Sequence, residues 1–287
     1  MLAIIKKELR SYFTSAPGYI FLIGFLFLNA LFFVLNNITP MNASYMATLG
    51  GMTIVFLILI PILTMQLFAD ETKQRTDQLL YTSPLTVLQI VLGKYLGALS
   101  LFLFGMIISI VFPLSMTFFG NVPFNETVGG YIGFILLGAC FISIGLFISC
   151  QTREPLVAAI GSFAALFVLY IIHFVALQMP TDRVSSAIFL GVLALILAFI
   201  IYDSTKNIYA PIIFMFLAIA AGIIVYFVNV HFYDAMIIRV LNWFSLFHRF
   251  NSFVTGIFSI ADMVYYLAFS SVFIYLTINS VEKRRWK

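Results

Sequence analysis

Residues 49–69 read LGGMTIVFLILIPILTMQLFA, and no side chain in this stretch is charged. A helix of about 20 residues matches the thickness of the hydrocarbon core of a bilayer. Residues 70–94 follow with DETKQRTDQLLYTSPLTVLQIVLGK, and charged residues dominate the beginning of that run. The two stretches together predict a membrane-spanning helix that leads into a charged segment outside the membrane.

Charged residues are scarce along the whole chain of 287 residues: 9% are charged and 63% are hydrophobic, and the mean hydropathy is +1.10. A typical soluble domain carries about 25% charged residues, so this chain could not cover the surface of a water-soluble globule. The sequence predicts an all-α, polytopic transmembrane helical bundle, because helices satisfy their own backbone hydrogen bonds in lipid. Eight uncharged runs are long enough to span: residues 18–36, 49–69, 95–119, 131–150, 156–177, 184–202, 209–230 and 263–281.

The distribution of Lys and Arg predicts the orientation of these spans, since cytoplasmic segments are enriched in both residues. With a cytoplasmic N-terminus, twelve of the 15 basic residues fall on the cytoplasmic side. The opposite side holds only Arg183, Arg239 and Arg249. This split predicts an even number of spans with both termini in the cytoplasm.

Several classes of membrane protein are disfavoured by what the spans contain. Ion-coupled carriers place ionisable groups at mid-membrane, whereas the predicted spans hold no Asp, Glu, Lys or Arg. His173 lies near the outer end of the fifth span, where an interfacial role is expected. No HExxH or GxSxG motif is present, and His231 and His248 have no acidic or thiol partner at ligand spacing. An intramembrane enzyme is therefore disfavoured.

Nucleotide and metal sites are not expected in this chain either. Gly93-Lys94 resembles the end of a phosphate-binding loop, but Tyr95 follows where Ser or Thr is required. Cys140 and Cys150 lie in one apolar run, as small apolar side chains. We expect neither catalytic residues, nor a bound cofactor, nor a metal, and any use of ATP must come from another polypeptide.

Residues 1–16 predict an interfacial elbow helix that precedes the first span. One face would carry Ile5, Leu9, Tyr12 and Phe13, and Lys6, Lys7 and Arg10 would face lipid headgroups. Pro17-Gly18 would then break the helix. The alternative is a positively charged flank that only orients the first span.

Residues 70–90 form the most informative loop, between the second and third spans. Glu71 and Arg75 are spaced for an i,i+4 ion pair on a short helix. Leu79, Leu80 and Tyr81 then provide an apolar edge that could lie in the interface or in the groove of a partner. The alternative is a solvated hairpin that only connects two spans.

The third helix is expected to begin near Leu85, because Ser83-Pro84 combines a capping residue with a proline at the first helical position. Lys94 would extend its amine to the lipid headgroups. The small residues of the Gly93-xxx-Gly97 pair favour close helix packing.

Residues 229–261 are rich in aromatic side chains and predict short helices in or near the outer leaflet. Backbone at membrane depth must be helical or shielded by protein, and Tyr233 and Trp243 would anchor these helices at the interface. The alternative is a ninth span. Arg239, His248 and Arg249 argue against it.

These stretches resemble the membrane subunits of type-2 ABC transporters. The loop after the second span of that family carries an acidic pair, basic residues, a Thr, two Leu, a Ser-Pro and a Gly-Lys. The matching positions are Asp70-Glu71, Lys73, Thr76, Leu79-Leu80, Ser83-Pro84 and Gly93-Lys94. The ending, with Asp262, Tyr265-Tyr266 and the basic tail of residues 282–286, is most similar to the gliding-motility-type branch.

The chain departs from the family pattern at three points. Arg75 stands where a Gly often precedes the Thr, and Leu246 follows Ser245 where a Pro is usual. Eight spans also exceed the common core of six, and the sixth and seventh spans are the expected addition.

The resemblance implies one permease domain over residues 1–287 with three functional regions. A coupling segment would dock on a separate ATPase through Asp70, Glu71, Lys73, Arg75, Thr76, Asp77, Leu79, Leu80 and Tyr81. The helix-start and interface positions would be Ser83, Pro84, Gly93 and Lys94. The external interfacial helices would carry Trp243, Phe247, His248, Arg249 and Phe250.

The resemblance also implies the function and the partners. The chain would be the transmembrane subunit of an ATP-driven transporter in a bacterial-type cytoplasmic membrane, exporting an apolar or amphipathic substrate. Two ABC ATPase subunits would bind ATP and Mg²⁺, and a second permease copy or a sister permease would complete the path. Membrane lipids and an extracytoplasmic accessory protein are further candidate partners, and nucleic acid is not one. The alternative is an ATPase-driven scaffold, or mechanotransmitter, that acts on extracytoplasmic partners without transport.

Overall fold

Helices dominate the computed structural model of the chain, which describes residues 1–76, 85–118, 120–207, 209–228, 234–257 and 259–285, and no β-strand occurs in these residues. The all-α, polytopic fold is thus confirmed. The helices are α1 (Leu2–Thr14), α2 (Ala16–Phe33), α3 (Met46–Thr64), α4 (Gln66–Lys73), α5 (Val87–Ser109), α6 (Val111–Met116), α7 (Phe124–Gln151), α8 (Pro155–Gln178), α9 (Arg183–Thr205), α10 (Tyr209–Val228), α11 (Met236–Phe244), α12 (Leu246–Val254) and α13 (Ile260–Arg285). A π-helical segment, Val34–Ile38, extends α2.

Seven stretches of helix within the described residues are long and apolar enough to cross a membrane. They are Ala16–Ile38, Met46–Lys73, Val87–Met116, Phe124–Gln151, Pro155–Gln178, Arg183–Asp203 and Ile260–Arg284. Each coincides with one of the predicted spans. The remaining predicted span, residues 209–230, coincides with α10, which has 20 residues and no charged side chain. The total of eight spans stays a prediction.

The chain divides into two compact units. The first unit comprises Met1–Val168 and Phe247–Lys287, and the second comprises Leu169–Leu246. In the first unit, α7 packs against α3 and α13 around a cluster of phenylalanines. The rings of Phe56 and Phe134 lie 4.3 Å apart, and both are fully buried. In the second unit, Asp182 caps α9 by accepting a hydrogen bond from the Ser185 amide.

The N-terminal helix is placed differently from the prediction. α1 ends at Thr14 and α2 begins at Ala16, so the break lies at extended Ser15 and Pro17 belongs to the first turn of α2. The buried stripe of α1 is Ile4, Glu8 and Tyr12, instead of the predicted Ile5, Leu9, Tyr12 and Phe13. The predicted face was wrong because it was chosen from apolar residues alone, whereas the carboxylate of Glu8 has a buried partner in Lys94.

The second span is interrupted near the end that leads into the charged segment. Pro61 lies in the last turn of α3, and Met65 separates α3 from α4. Such a break leaves backbone groups without partners inside the helix. Two side chains from other helices supply partners: the Tyr12 hydroxyl donates to the Leu63 carbonyl at 2.8 Å, and the Ser149 hydroxyl donates to the Met65 carbonyl at 3.1 Å.

Ser149 also accepts hydrogen bonds on the far side of the break. Its hydroxyl oxygen lies 3.1 Å from the Phe68 amide nitrogen and 3.2 Å from the Ala69 amide nitrogen. One hydroxyl therefore bridges the last turn of α3 and the first turn of α4. The break is held in a defined geometry by α7.

The helix of the third span begins slightly later than the predicted start near Leu85. α5 starts at Val87 instead of near Leu85, because Thr86 and Gln89 form a capping box. The Thr86 hydroxyl accepts from the Gln89 amide, and the Gln89 side chain accepts from the Thr86 amide. The predicted signal, Ser83-Pro84, lies outside the described residues.

The close approach of α7 to the break predicts that Gly145 tolerates no larger residue. A Cβ at Gly145 would lie 2.2 Å from the Thr64 Oγ1 atom, whereas a Cβ at Gly191 on α9 meets nothing within 4 Å. We expect Gly145→Ala to lower the free energy of unfolding by about 1–3 kcal/mol, since an overpacked core must shift. Unfolding by SDS titration in mixed micelles measures this change in the free energy of unfolding. An equal effect of Gly191→Ala would contradict this explanation.

Candidate functional site

Lys94 is a buried cation at the start of the third span. Its side chain is 1% exposed, and its Nζ atom lies 3.1 Å from Glu8 Oε1 and 2.8 Å from Glu71 Oε2. It also donates to the carbonyl of Leu67 at 2.5 Å. The predicted extension of Lys94 to the lipid headgroups was therefore wrong, because two carboxylates hold the amine inside the protein.

Two glycines on α5 allow α1 to come close enough for this contact. A Cβ at Gly93 would lie 2.8 Å from the Cβ of Ile4, and one at Gly97 would lie 2.7 Å from the Cβ of Glu8. α1 therefore lies in the groove of the Gly93-xxx-Gly97 pair, as small-xxx-small packing predicts. This approach places Glu8 beside Lys94.

Lys7 completes a charged network that we define as Lys7, Glu8, Glu71 and Lys94. Its Nζ atom lies 2.5 Å from Glu71 Oε1. Partial burial lowers the pKa of Lys7, but the hydrogen bond and charge of Glu71 raise it more, so the pKa is raised overall. Two cations thus balance two carboxylates, which buried charges require. The network ties α4 to α1 and α5.

The exposed side of α4 carries a second group of charges. Lys73 pairs with Glu154, in the connection between α7 and α8, at 2.8 Å, and both side chains are more than half exposed. Gln74, Arg75 and Thr76 are also exposed. The predicted ion pair between Glu71 and Arg75 was wrong, because Glu71 turns inward to Lys94 and Lys7.

Arg75 ends α4 in a backbone conformation that favours glycine. Its φ is +56°, the Thr76 amide donates to the Glu71 carbonyl at 3.0 Å, and the Arg75 amide donates to the Thr72 carbonyl at 3.3 Å. This pair of hydrogen bonds is a Schellman motif, in which the left-handed position is usually Gly. The departure from the family pattern therefore keeps the turn and adds an exposed cation to it.

The structure brings only part of the predicted coupling residues together. Glu71 faces the charged network, Asp70 is half-buried, and Lys73, Arg75 and Thr76 are exposed. The remaining predicted positions lie outside the described residues: Asp77, Leu79, Leu80, Tyr81, Ser83 and Pro84.

Sequence reasoning did not predict the polar contacts of three residues, Glu8, Tyr12 and Ser149. Glu8 and Tyr12 are spaced i,i+4 on the buried stripe of α1, and a lone carboxylate in such a stripe signals a buried partner. Ser149 had no comparable signal. One serine in an apolar helix is unremarkable until the α3–α4 break is known.

The predicted external region contains two short helices, α11 and α12. Phe247 and Phe250 are buried, with their rings 5.6 Å from Phe141 and 6.2 Å from Phe134, respectively. These two phenylalanines fasten α12 to α7. The position of α11 and α12 in the outer leaflet stays a prediction.

The polar residues of this region divide between the surface and an ion pair. Trp243 and His248 are exposed. Arg249 pairs with Asp262 at 2.8 Å and lies 3.8 Å from the ring centroid of Tyr265, so it joins α12 to the start of α13.

The charged network predicts a large and specific loss on removal of its central cation. Lys94→Met leaves two carboxylates without their buried partner, and we expect it to lower the free energy of unfolding by about 3 kcal/mol. Adding Glu8→Gln and Glu71→Gln should recover part of that loss. Lys73→Met, which breaks an exposed pair, should change little. SDS titration measures all three, and equal effects of Lys94→Met and Lys73→Met would count against the network.

The Schellman motif predicts that Arg75→Gly raises the free energy of unfolding, whereas Lys94→Met lowers it. Glycine adopts the left-handed conformation without a Cβ penalty, so we expect a gain of about 0.5–1 kcal/mol. Gln74→Gly, at a right-handed position, should lose stability. Hydrogen exchange of the Thr76 amide should slow in the first variant and accelerate in the second, and the reverse order would refute the assignment.

A family model described as ABC-2 family transporter protein matches residues 6–200, which is more than half of the chain. The matched region contains the charged network and the coupling segment. No curated protein and no solved structure matches the chain significantly. The chain therefore belongs to the ABC-2 family of transporter proteins, and is a multi-pass transmembrane subunit of an ABC transporter.

Proposed function

We propose that this subunit exports an apolar or amphipathic substrate, and that its coupling segment receives the force of ATP binding from ABC ATPase subunits. Family membership implies partnership with such ATPases and a membrane subunit that normally lacks a nucleotide site. The observation that carries the proposal is the charged network, which joins the predicted docking segment to two other helices.

The division of charge along α4 supports separate tasks for its two sides. Glu71 faces inward and is 14% exposed, so it is committed to Lys94 and Lys7. Lys73, Arg75 and Thr76 face outward, where a partner protein could contact them. Charged groups at a rim set the rate and specificity of docking, whereas buried pairs hold a shape.

A displacement of the exposed side of α4 would be transmitted to three other helices. The charged network passes it to α1 and α5, and Ser149 passes it to α7 through the α3–α4 break. Packed elements move as units because cores resist deformation. The coupling segment would thus move together with α1 and the cytoplasmic ends of α5 and α7.

The composition of the spans supports the proposed class of substrate. The predicted span interiors carry no Asp, Glu, Lys or Arg, so they offer no fixed charge to bind a charged solute or a coupling ion. A substrate that stays partly in lipid needs no such group.

The docking role of the exposed charges can be tested by charge reversal. The affinity-tagged chain is isolated from its own membranes in nanodiscs, and Mg²⁺-dependent ATP hydrolysis in the eluate is measured. We expect Arg75→Glu to reduce the retained activity about fivefold, because one rim charge is worth about 1 kcal/mol. Lys283→Glu, an equally exposed reversal near the end of α13, should retain it.

Two results would contradict the proposal at different levels. Absence of ATPase from the wild-type eluate, or its retention by Arg75→Glu, would refute docking at this segment. Retained ATPase that drives no accumulation of a lipid-like substrate in inverted vesicles, but responds to an extracytoplasmic protein, would refute export and identify a mechanotransmitter.

A further inference from the structure

A cavity of about 490 Å³ opens between the π-helical end of α2 and the short helix α6. Its volume lies in the range of about 300–1,000 Å³ that small-molecule sites occupy. None of the described residues that line it is charged, and they include Phe33, Ile38, Met41, Asn42, Ser115 and Met116.

The cavity lies far from the charged network. Lys94 of the network and Ser115 of the cavity wall are 21 residues apart on one helical stretch, Val87–Met116, which corresponds to about 30 Å along the helix. α6 continues from α5 and forms one wall of the cavity. The cavity is therefore separated from the coupling segment by about the thickness of a bilayer.

The walls of the cavity are fixed by hydrogen bonds and ring contacts. The side-chain NH₂ group of Asn37 donates to the carbonyls of Asn42 at 2.8 Å and Ser44 at 2.9 Å. Its side-chain oxygen accepts from the Thr48 hydroxyl at 2.6 Å. The ring of Phe33 lies 5.3 Å from that of Phe112. These contacts hold the connection between α2 and α3 in place, so this wall of the cavity has a defined conformation.

Two backbone features mark the same place. The π-helical segment Val34–Ile38 forms one wall, and π-helical turns frequently occur at functional sites. Met41 lines the cavity with a φ of +53°, although it is not glycine, and such strain also concentrates at binding sites. Its side chain is 92% exposed at the rim.

The surroundings of the rim are apolar. Leu35, Ile38, Leu114 and Phe118 are all more than half exposed, which would be costly in water and is favourable in lipid. An occupant would therefore enter from the hydrocarbon region of the membrane. The Asn42 side chain accepts from the Ser44 amide at 3.0 Å, and its NH₂ group donates to no atom among the described residues.

We propose that this cavity binds the hydrocarbon chain of a membrane lipid, with the lipid's ester oxygens near Asn42 and its headgroup outside. The uncharged lining selects a chain over a charged group, and the free amide donor suits an ester carbonyl. The site is independent of the substrate and direction of transport.

Photolabelling in nanodiscs tests this site. The probe is a phosphatidylglycerol with a diazirine at mid-chain, and labelled peptides are identified by mass spectrometry. We expect labelling at Met41 and Met116. A diacylglycerol with the same diazirine chain should label both positions to a similar extent, because the headgroup stays outside the cavity.

Two filling variants and one control complete the experiment. A Cβ at Gly120 meets nothing within 4 Å, so Gly120→Trp can place its ring in the cavity and should reduce labelling about tenfold. Ala43→Leu, which narrows the same cavity, should reduce it as well. Gly191→Trp, at an equally open position on α9, should leave labelling unchanged.

The outcomes decide the proposal. Labelling that survives both filling variants, or that falls equally with Gly191→Trp, would overturn the cavity as the site. Labelling by the phosphatidylglycerol alone would show recognition of charge and would overturn a hydrocarbon occupant.

Discussion

A lysine held inside a membrane protein must keep its carboxylates beside it, and this requirement organises the first unit of the structure. Lys94 on α5 takes one carboxylate from α1 and another from α4. Removing any one of the three helices would leave a charge buried without compensation, at a cost of several kcal/mol. The position of the N-terminal helix is therefore set by electrostatics as well as by its apolar residues.

Side chains from other helices also fix the geometry of the second span where its helix is broken. α4 is separated from α3 at Met65, yet the backbone groups around the break are bonded to Tyr12, Ser149 and Lys94. Each of these side chains comes from a different helix. A break that is bonded on several sides acts as a corner with a defined angle, and it turns the chain from the membrane into the exposed segment at Arg75.

Hydropathy predicted the spans because a charged side chain in lipid is energetically unfavourable, and long uncharged runs are easily recognised in the sequence. It could not predict the network, because Glu8 and Lys94 are 86 residues apart in the chain and each is ordinary in its own context. The Gly93-xxx-Gly97 pair was the available signal, and it indicated close packing without naming the partner. At Arg75 the family pattern suggested a glycine, and the structure shows that the conformation is retained without the residue.

We expect α1 and α4 to move as one body when the ATPase acts, because Lys7 and Glu71 join them. Spin labels on Lys6→Cys and Gln74→Cys report it, because both positions are exposed whereas Cys140 and Cys150 are buried and would stay unlabelled. Double electron–electron resonance then gives the distance between α1 and α4 in nanodiscs, in the complex with its ATPase, before and after trapping with ATP and vanadate. A single narrow distance that is the same in both states is the predicted result. Two distances that exchange with nucleotide would contradict it.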